Sequence, residues 1–164
     1  MGLLTSLFEF TLYVRISPER LTVRNPRTGE QIAEVPELAI TRKQKSWIVA
    51  VGKEARSKAA QPNTRVINPF AHPRSLVSDF TEAEQLLKAF MRKMRTHGPL
   101  SVSPRVVLHP LGDPAGGFTQ VEVRAFQEMA MGAGARSVKI WHGRPLTDQE
   151  LISGQFPAAG RILN

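Results

Sequence analysis

Between His109 and Glu122 the chain reads HPLGDPAGGFTQVE, a glycine-rich turn set between an apolar run, PRVVL, and a helical pattern, FTQVEVRAFQEMA. A turn of this kind is where phosphate binding is sought first. Glycines let backbone N–H groups converge on an anion at a helix N-terminus. The residue types argue against that chemistry here. There is no Lys in a G-K-[ST] arrangement and no G-x-G-x-x-G. Asp113 sits inside the turn and repels a phosphate unless a metal intervenes. Thr119 and Glu122 form T-Q-V-E, a capping box that satisfies the first N–H groups of the helix by itself. The stretch is read as a structural turn with a cap.

Other chemistry is sparse. The four histidines, His72, His97, His109 and His142, contain no i, i+3 or i, i+4 pair, so helical metal-ligand spacing is absent. His109 and His142 follow two strands expected to be parallel neighbours, with Asp113 the nearest third ligand, but this set falls short of a metal site and no metal is expected. The absence of cysteine excludes disulfides, cysteine-based zinc sites and thiol catalysis, and fits a reducing cytoplasm. No G-x-S-x-G marks a serine nucleophile. The net charge of +8 favours an acidic partner: nucleic acid, anionic lipid or an acidic protein surface. Basic residues gather at Arg42, Lys43 and Lys45 in a turn, at Lys53, Arg56 and Lys58 on a short helix, and at Lys88, Arg92, Lys93 and Arg95 on a long one. On a shared face they would form a footprint for phosphates or an acidic protein, whereas apart they are solvated surface. Only Tyr13, Trp47 and Trp141 are aromatics with a polar handle, so a base-stacking platform is not evident.

The elements that must position these residues read as a mixed α/β domain. LYVRI alternates, with Leu12, Val14 and Ile16 on one face; SPER is a turn, LTVRN alternates again, and PRTGE turns. EVPELAI and SWIVAVG read as two more strands joined by the basic turn TRKQK. KEARSKAA is a short helix candidate and RVINPF a short extended segment. A strong helix follows, with a capping box at Thr81 and Glu84 and a stripe of Ala83, Leu86, Leu87, Phe90, Met91 and Met94. PRVVLHP, the helix ending near Gly132 and Gly134, and RSVKIWHG then form a βαβ unit. PLTDQELISG predicts a last short helix. The boundaries are an apolar N-terminal segment over 1–11, one domain over 12–152 and a loose tail over 153–164. No apolar run reaches the length of a spanning helix. Leu3, Leu4, Leu7 and Phe8 could line a membrane-touching helical face, but core or strand packing is the simpler reading; Met1-Gly2 with Ser6 matches the short myristoylation pattern.

Several segments together resemble a known family. GFTQVEVRA, Gly117 to Ala125, resembles the G-I-T-x-V-E-x-R-A segment of MreB, the bacterial actin homologue that determines rod shape. VSDFTEAEQLLKAFMRKM, IVAVGKEAR, GAGARSVKI and PELAITR resemble further MreB segments in the same order. The resemblance implies the first subdomain of an actin-like, ribonuclease-H-like fold, in which early antiparallel strands precede parallel strands crossed by helices. It also places Glu122 at the family's water-orienting Glu, and Asp79 near the nucleotide cleft. The family's first phosphate loop ends a strand in D-x-G-T. Here Arg15 falls near the Asp and Ser17-Pro18 near Gly-Thr, which inverts the charge and removes an N–H. The second phosphate loop and the adenosine pocket belong to a part of the family lying beyond this sequence.

The expectation is therefore a non-enzymatic, MreB-like protein with no cofactor. It acts through a protein partner, either full-length filament subunits or a second copy of itself, in cell shape. A basic nucleic-acid or anionic-surface binder built on the same fold is the alternative, and half of a split ATPase is the second alternative. Peripheral membrane contact through the N-terminal segment is a further option.

Overall fold

The structure, a computed structural model, describes residues 10–72, 75–94 and 102–163. Residues 1–9 of the N-terminal segment, Arg95 and His97 lie outside the described residues, and with them the expectations placed on them, while Thr11 of that segment already belongs to the first strand.

Among the described residues, nine strands form two sheets. In the larger, β1 (Thr11–Ile16), β2 (Leu21–Arg24) and β3 (Gln31–Glu34) form an antiparallel meander. β1 then pairs in parallel with β7 (Arg105–Pro110), and β7 with β8 (Ser137–His142). β9 (Arg161–Leu163) closes the far edge, antiparallel to β8. The smaller sheet has β4 (Leu38–Arg42) between β5 (Ser46–Val51) and β6 (Thr64–Ile67). A 3₁₀ helix, Gly52–Lys58, follows β5. Among the described residues there are three α-helices: α1 (Phe80–Lys93), α2 (Gln120–Gly132) and α3 (Asp148–Ser153).

Alternation in β1 works as expected. Leu12, Val14 and Ile16 are fully buried in one core with Leu86, Leu87 and Phe90 of α1 and Phe126 and Met129 of α2. Tyr13 points to the opposite face, where it joins Val107, Trp141, Leu146 and Leu151 in a second cluster. The sheet is therefore covered on both sides, as a parallel centre requires. The whole predicted stripe of α1, Ala83 to Met94, is buried. Gly132 ends α2 where a Cβ would stand 2.2 Å from the Glu84 carboxylate, so its small size lets α1 and α2 approach. Gly134, at φ +110°, is the glycine that takes the turn out of the helix.

Three local expectations change. EVPELAI is not one strand: Glu34 ends β3, Leu38 begins β4, and Pro36, which lacks an N–H, sits where the chain leaves one sheet for the other. α1 starts at Phe80 with Asp79 as its N-cap, so Thr81 lies inside the helix and the Thr81–Glu84 box is not formed. Asp79 makes no side-chain cap bond. The Asp79 carboxyl beside Glu82 instead raises the Glu82 pKa above the ordinary carboxylate value. Finally, the tail expected to be loose is packed. β9 pairs with β8, and the Phe156 ring meets Trp141 edge-on at 5.5 Å. The apolar pair Ile162 and Leu163 is too short a run to announce a strand, and its pairing partner decides its conformation.

Candidate functional site

The carboxyl ends of β1 and β7, where an actin-like site would lie, meet the start of α2. β1 runs directly into a tight hairpin, Ser17 to Arg20. Ser17 Oγ accepts the N–H groups of Glu19 (3.3 Å) and Arg20 (3.1 Å), and the Ser17 N–H donates to the Arg20 carbonyl (3.0 Å). Pro18 has no N–H, and its carbonyl accepts from Asn68 Nδ2 at 2.7 Å. The hairpin amides are thus consumed internally. Arg15, near the expected position of a metal-linked Asp, lies over the Tyr13 ring at 5.8 Å, on the face away from the main helical core.

Glu122 lines a cleft of about 410 Å³ together with Pro18, His72, Asp113 and Phe118. The T-Q-V-E capping box is present as read. The Glu122 carboxylate accepts the Thr119 N–H (2.8 Å) and the Thr119 hydroxyl (2.9 Å), while Thr119 Oγ1 accepts the Glu122 N–H (3.2 Å). In the glycine turn, the Gly117 N–H donates to the Pro114 carbonyl at 2.7 Å. Glu122 therefore borders a cleft while it holds a helix end.

His109 and His142 do not converge on a ligand. His109 is buried, and its Nδ1 shares a hydrogen bond of 2.7 Å with the Tyr13 hydroxyl. That hydroxyl in turn accepts the Leu146 N–H at 3.2 Å. Burial lowers the His109 pKa to about 4, so the ring is neutral, and burial also raises the pKa of Tyr13. His142 Nε2 stands 3.9 Å from Asp113 Oδ1 at the surface and edge-on to Phe118. Among the described residues no group of three His, Cys, Asp or Glu side chains is placed to hold a metal. Sequence reading noticed each histidine but not Tyr13 as a partner. The parallel register that joins them spans 96 residues.

The sequence profile of the MreB/Mbl protein family matches residues 26–145, well over half of the chain. The chain belongs to the MreB/Mbl family. It is 36% identical over 91 residues to the cell shape-determining protein MreB of Haemophilus influenzae, covering 56% of this chain and 25% of that protein. The corresponding protein of Pasteurella multocida is 31% identical over 111 residues, 65% of this chain and 30% of the other. The matched part thus spans about a quarter to a third of these relatives. Among solved structures, MreB5 of Spiroplasma citri bound to AMPPNP aligns with a TM-score of 0.59 at 18% identity, covering 80% of this chain and 38% of that one. A non-polymerising mutant of MamK bound to AMPPNP aligns with a TM-score of 0.63 at 15% identity, covering 80% and 40%. The fold is that of an actin-like subdomain, with the early antiparallel strands and following βαβ unit anticipated from the sequence.

The basic groups of this MreB-family chain occupy separate places. Arg42, Lys43 and Lys45 lie exposed at the tip of the β4–β5 hairpin. Arg56 is held by Glu37 through two bonds of 2.8 and 2.7 Å. Lys88 and Arg92 border a hollow of about 100 Å³ with Pro104 and Gly132–Gly134, and Lys93 lies over the Phe90 ring at 5.5 Å. Arg65 of β6 reaches Glu82 in the first turn of α1 at 3.9 Å. The smaller sheet therefore sits by the start of α1, while Lys88 to Lys93 lie roughly 9–16 Å further along its axis.

Proposed function

We propose that this MreB-family chain works without nucleotide hydrolysis, by docking on an actin-like filament subunit or on a second copy of itself in a cell-shape system. One observation carries the reading. Where an actin-like fold presents amides to a phosphate, the Ser17–Arg20 hairpin bonds its own amides to Ser17 and inserts Pro18. Arg15 supplies positive charge where metal chemistry needs a carboxylate. The engagement of Glu122 in its capping box supports the same view. Filament assembly among the structural neighbours, one of them a MamK double helical filament, supports an actin-like partner.

The test pairs two measurements on the full chain. Calorimetry with Mg-ATP should show no binding heat, and a saturable isotherm would overturn the non-nucleotide reading. Co-sedimentation with assembled MreB filaments from the same organism should persist from low to high salt. Absence of pelleting, with no self-association in sizing experiments, would remove the docking reading. Pelleting at low salt alone would transfer the weight to the basic surface.

A further inference from the structure

The second face of the larger sheet is covered along only part of its length. Strand neighbours leave opposite faces, so Thr11 of β1, Arg105 and Val107 of β7, and Ser137 and Lys139 of β8 share the face of Trp141. Towards the carboxyl ends of these strands Leu146 and Leu151 cover that face. Towards the amino ends a cavity of about 410 Å³ remains, bordered by the strand starts, by residues 152–154 at the end of α3 and by Phe156. That volume lies within the range of small-molecule sites.

The lining is divided by chemistry. Val107 and Leu151 are buried and apolar, and Phe156 is half-buried beside them. Arg105, Arg136 and Lys139 are exposed and bring three cations to the same cavity, and none of the described residues that line it is acidic. Lys139 Nζ stands 5.4 Å from the centroid of the Phe156 ring, so charge and apolar surface meet there. The backbone offers little to an anion. The Arg105 N–H donates to the Phe10 carbonyl (2.9 Å), the Arg136 N–H to the Pro104 carbonyl (2.7 Å) and the Gly154 N–H to the Glu150 carbonyl (2.9 Å). Phosphate sites draw on converging backbone amides, and here these amides are spent. Side chains alone supply the charge, and the fork of an arginine matches a carboxylate through two parallel bonds. The apolar side of the cavity gains only from a ligand that also brings apolar surface out of water.

We infer that this cavity binds a small organic monocarboxylate with an apolar body. The carboxylate lies among Arg105, Arg136 and Lys139, with the Ser137 hydroxyl as a further donor, and the body lies against Val107, Leu151 and Phe156. The site is at the amino ends of β1, β7 and β8, opposite the hairpin that follows β1. It does not depend on the filament-docking reading, and its test uses neither nucleotide nor filament, so the two fail separately.

The experiment is an amide NMR titration of the full chain with hydrocinnamate. Hydrocinnamyl alcohol serves as the uncharged counterpart, acetate as the charged head alone and phenyl phosphate as the phosphate counterpart. Hydrocinnamate should give saturable shifts at Arg105, Ser137, Lys139 and Phe156, and each of the other three should bind at least about tenfold more weakly. Lys139 is exposed, so Lys139→Glu and Lys139→Gln should both keep the folded spectrum. Lys139→Glu should weaken hydrocinnamate by about tenfold or more, because it sets a like charge beside the carboxylate, and Lys139→Gln should weaken it less. Lys43→Glu makes the same change in net charge on the β4–β5 hairpin and should leave the affinity as it was. Shifts that do not saturate, or that map elsewhere in the chain, overturn the inference. Equal binding of the alcohol overturns it, as does unchanged affinity in both Lys139 variants. Tighter binding of phenyl phosphate overturns the carboxylate assignment.

Discussion

β1 and β5 are both six-residue strands rich in β-branched and aromatic residues, yet their fates are opposite. In β1, Leu12, Val14 and Ile16 are fully buried and Tyr13 nearly so. In β5, Ser46 to Val49 are all exposed. The cause is position. β1 has β2 and β7 as neighbours and packed side chains on both faces, whereas β5 lies beside β4 alone. An apolar β pattern makes a strand; its place in the sheet decides whether the strand becomes core or contact surface.

The contrast can be broken most directly by truncating each strand. Leu12→Ala should cost about 2–5 kcal/mol in urea denaturation, since it empties a closed site in the main core. Trp47→Ser should stay within about 0.5 kcal/mol of the parent, as exposed substitutions do. Similar costs for the two would mean that β5 is covered in solution.

Acid sharpens the same contrast, because β1 carries a buried titratable partner and β5 does not. The His109 pKa is lowered to about 4 in the fold, against 6.5 for an ordinary histidine. As pH falls below 6.5 the unfolded chain takes up the proton first, so this contribution is complete above 6.5 and is lost as pH falls to 4. The loss amounts to about 3 kcal/mol. Chemical denaturation from pH 7 to pH 4 should show it, and His109→Gln should flatten the slope. Glu150, held down to about 2 by Arg144, weakens the fold only below the ordinary carboxylate range, so the two windows separate.

The smallest effects should come from the cleft. Thr119→Ala should cost about 1 kcal/mol through the loss of its cap bond. Glu122→Gln should cost only a few tenths of that, because Gln also closes a capping box. A larger loss for Glu122→Gln in thermal melts would show that its charge does more than hold a helix end.

Periodicity carried much of the fold. The α1 stripe and the Thr119–Glu122 box could be read because each depends on residues within a few turns of one another, and the βαβ unit because its strand, helix and strand follow one another in sequence. What escaped depends on distant partners. Ile162 and Leu163 become strand only against β8, and Asp79 stands at the N-cap of α1 without a side-chain cap bond. At the candidate site, the types of Arg15, Pro18 and Glu122 were visible. The self-bonded amides of the hairpin and the Tyr13–His109 contact were not, since they need geometry. Trp47 stood out by type but not by exposure, because the sequence does not say which strand lies at an edge.

The pairing of β1 with β7 also has a kinetic side. Tyr13 and His109 are 96 residues apart, and the sheet has no centre until they meet. Closing so long a loop precedes any reward from the contact, which slows folding relative to a chain of local hairpins. During synthesis the β1–β3 meander leaves the ribosome with Leu12, Val14 and Ile16 uncovered, and must wait for β7 to emerge before its middle is sealed. This buried joint is therefore closed to the growing chain until Arg105–Pro110 has emerged, long after the meander itself.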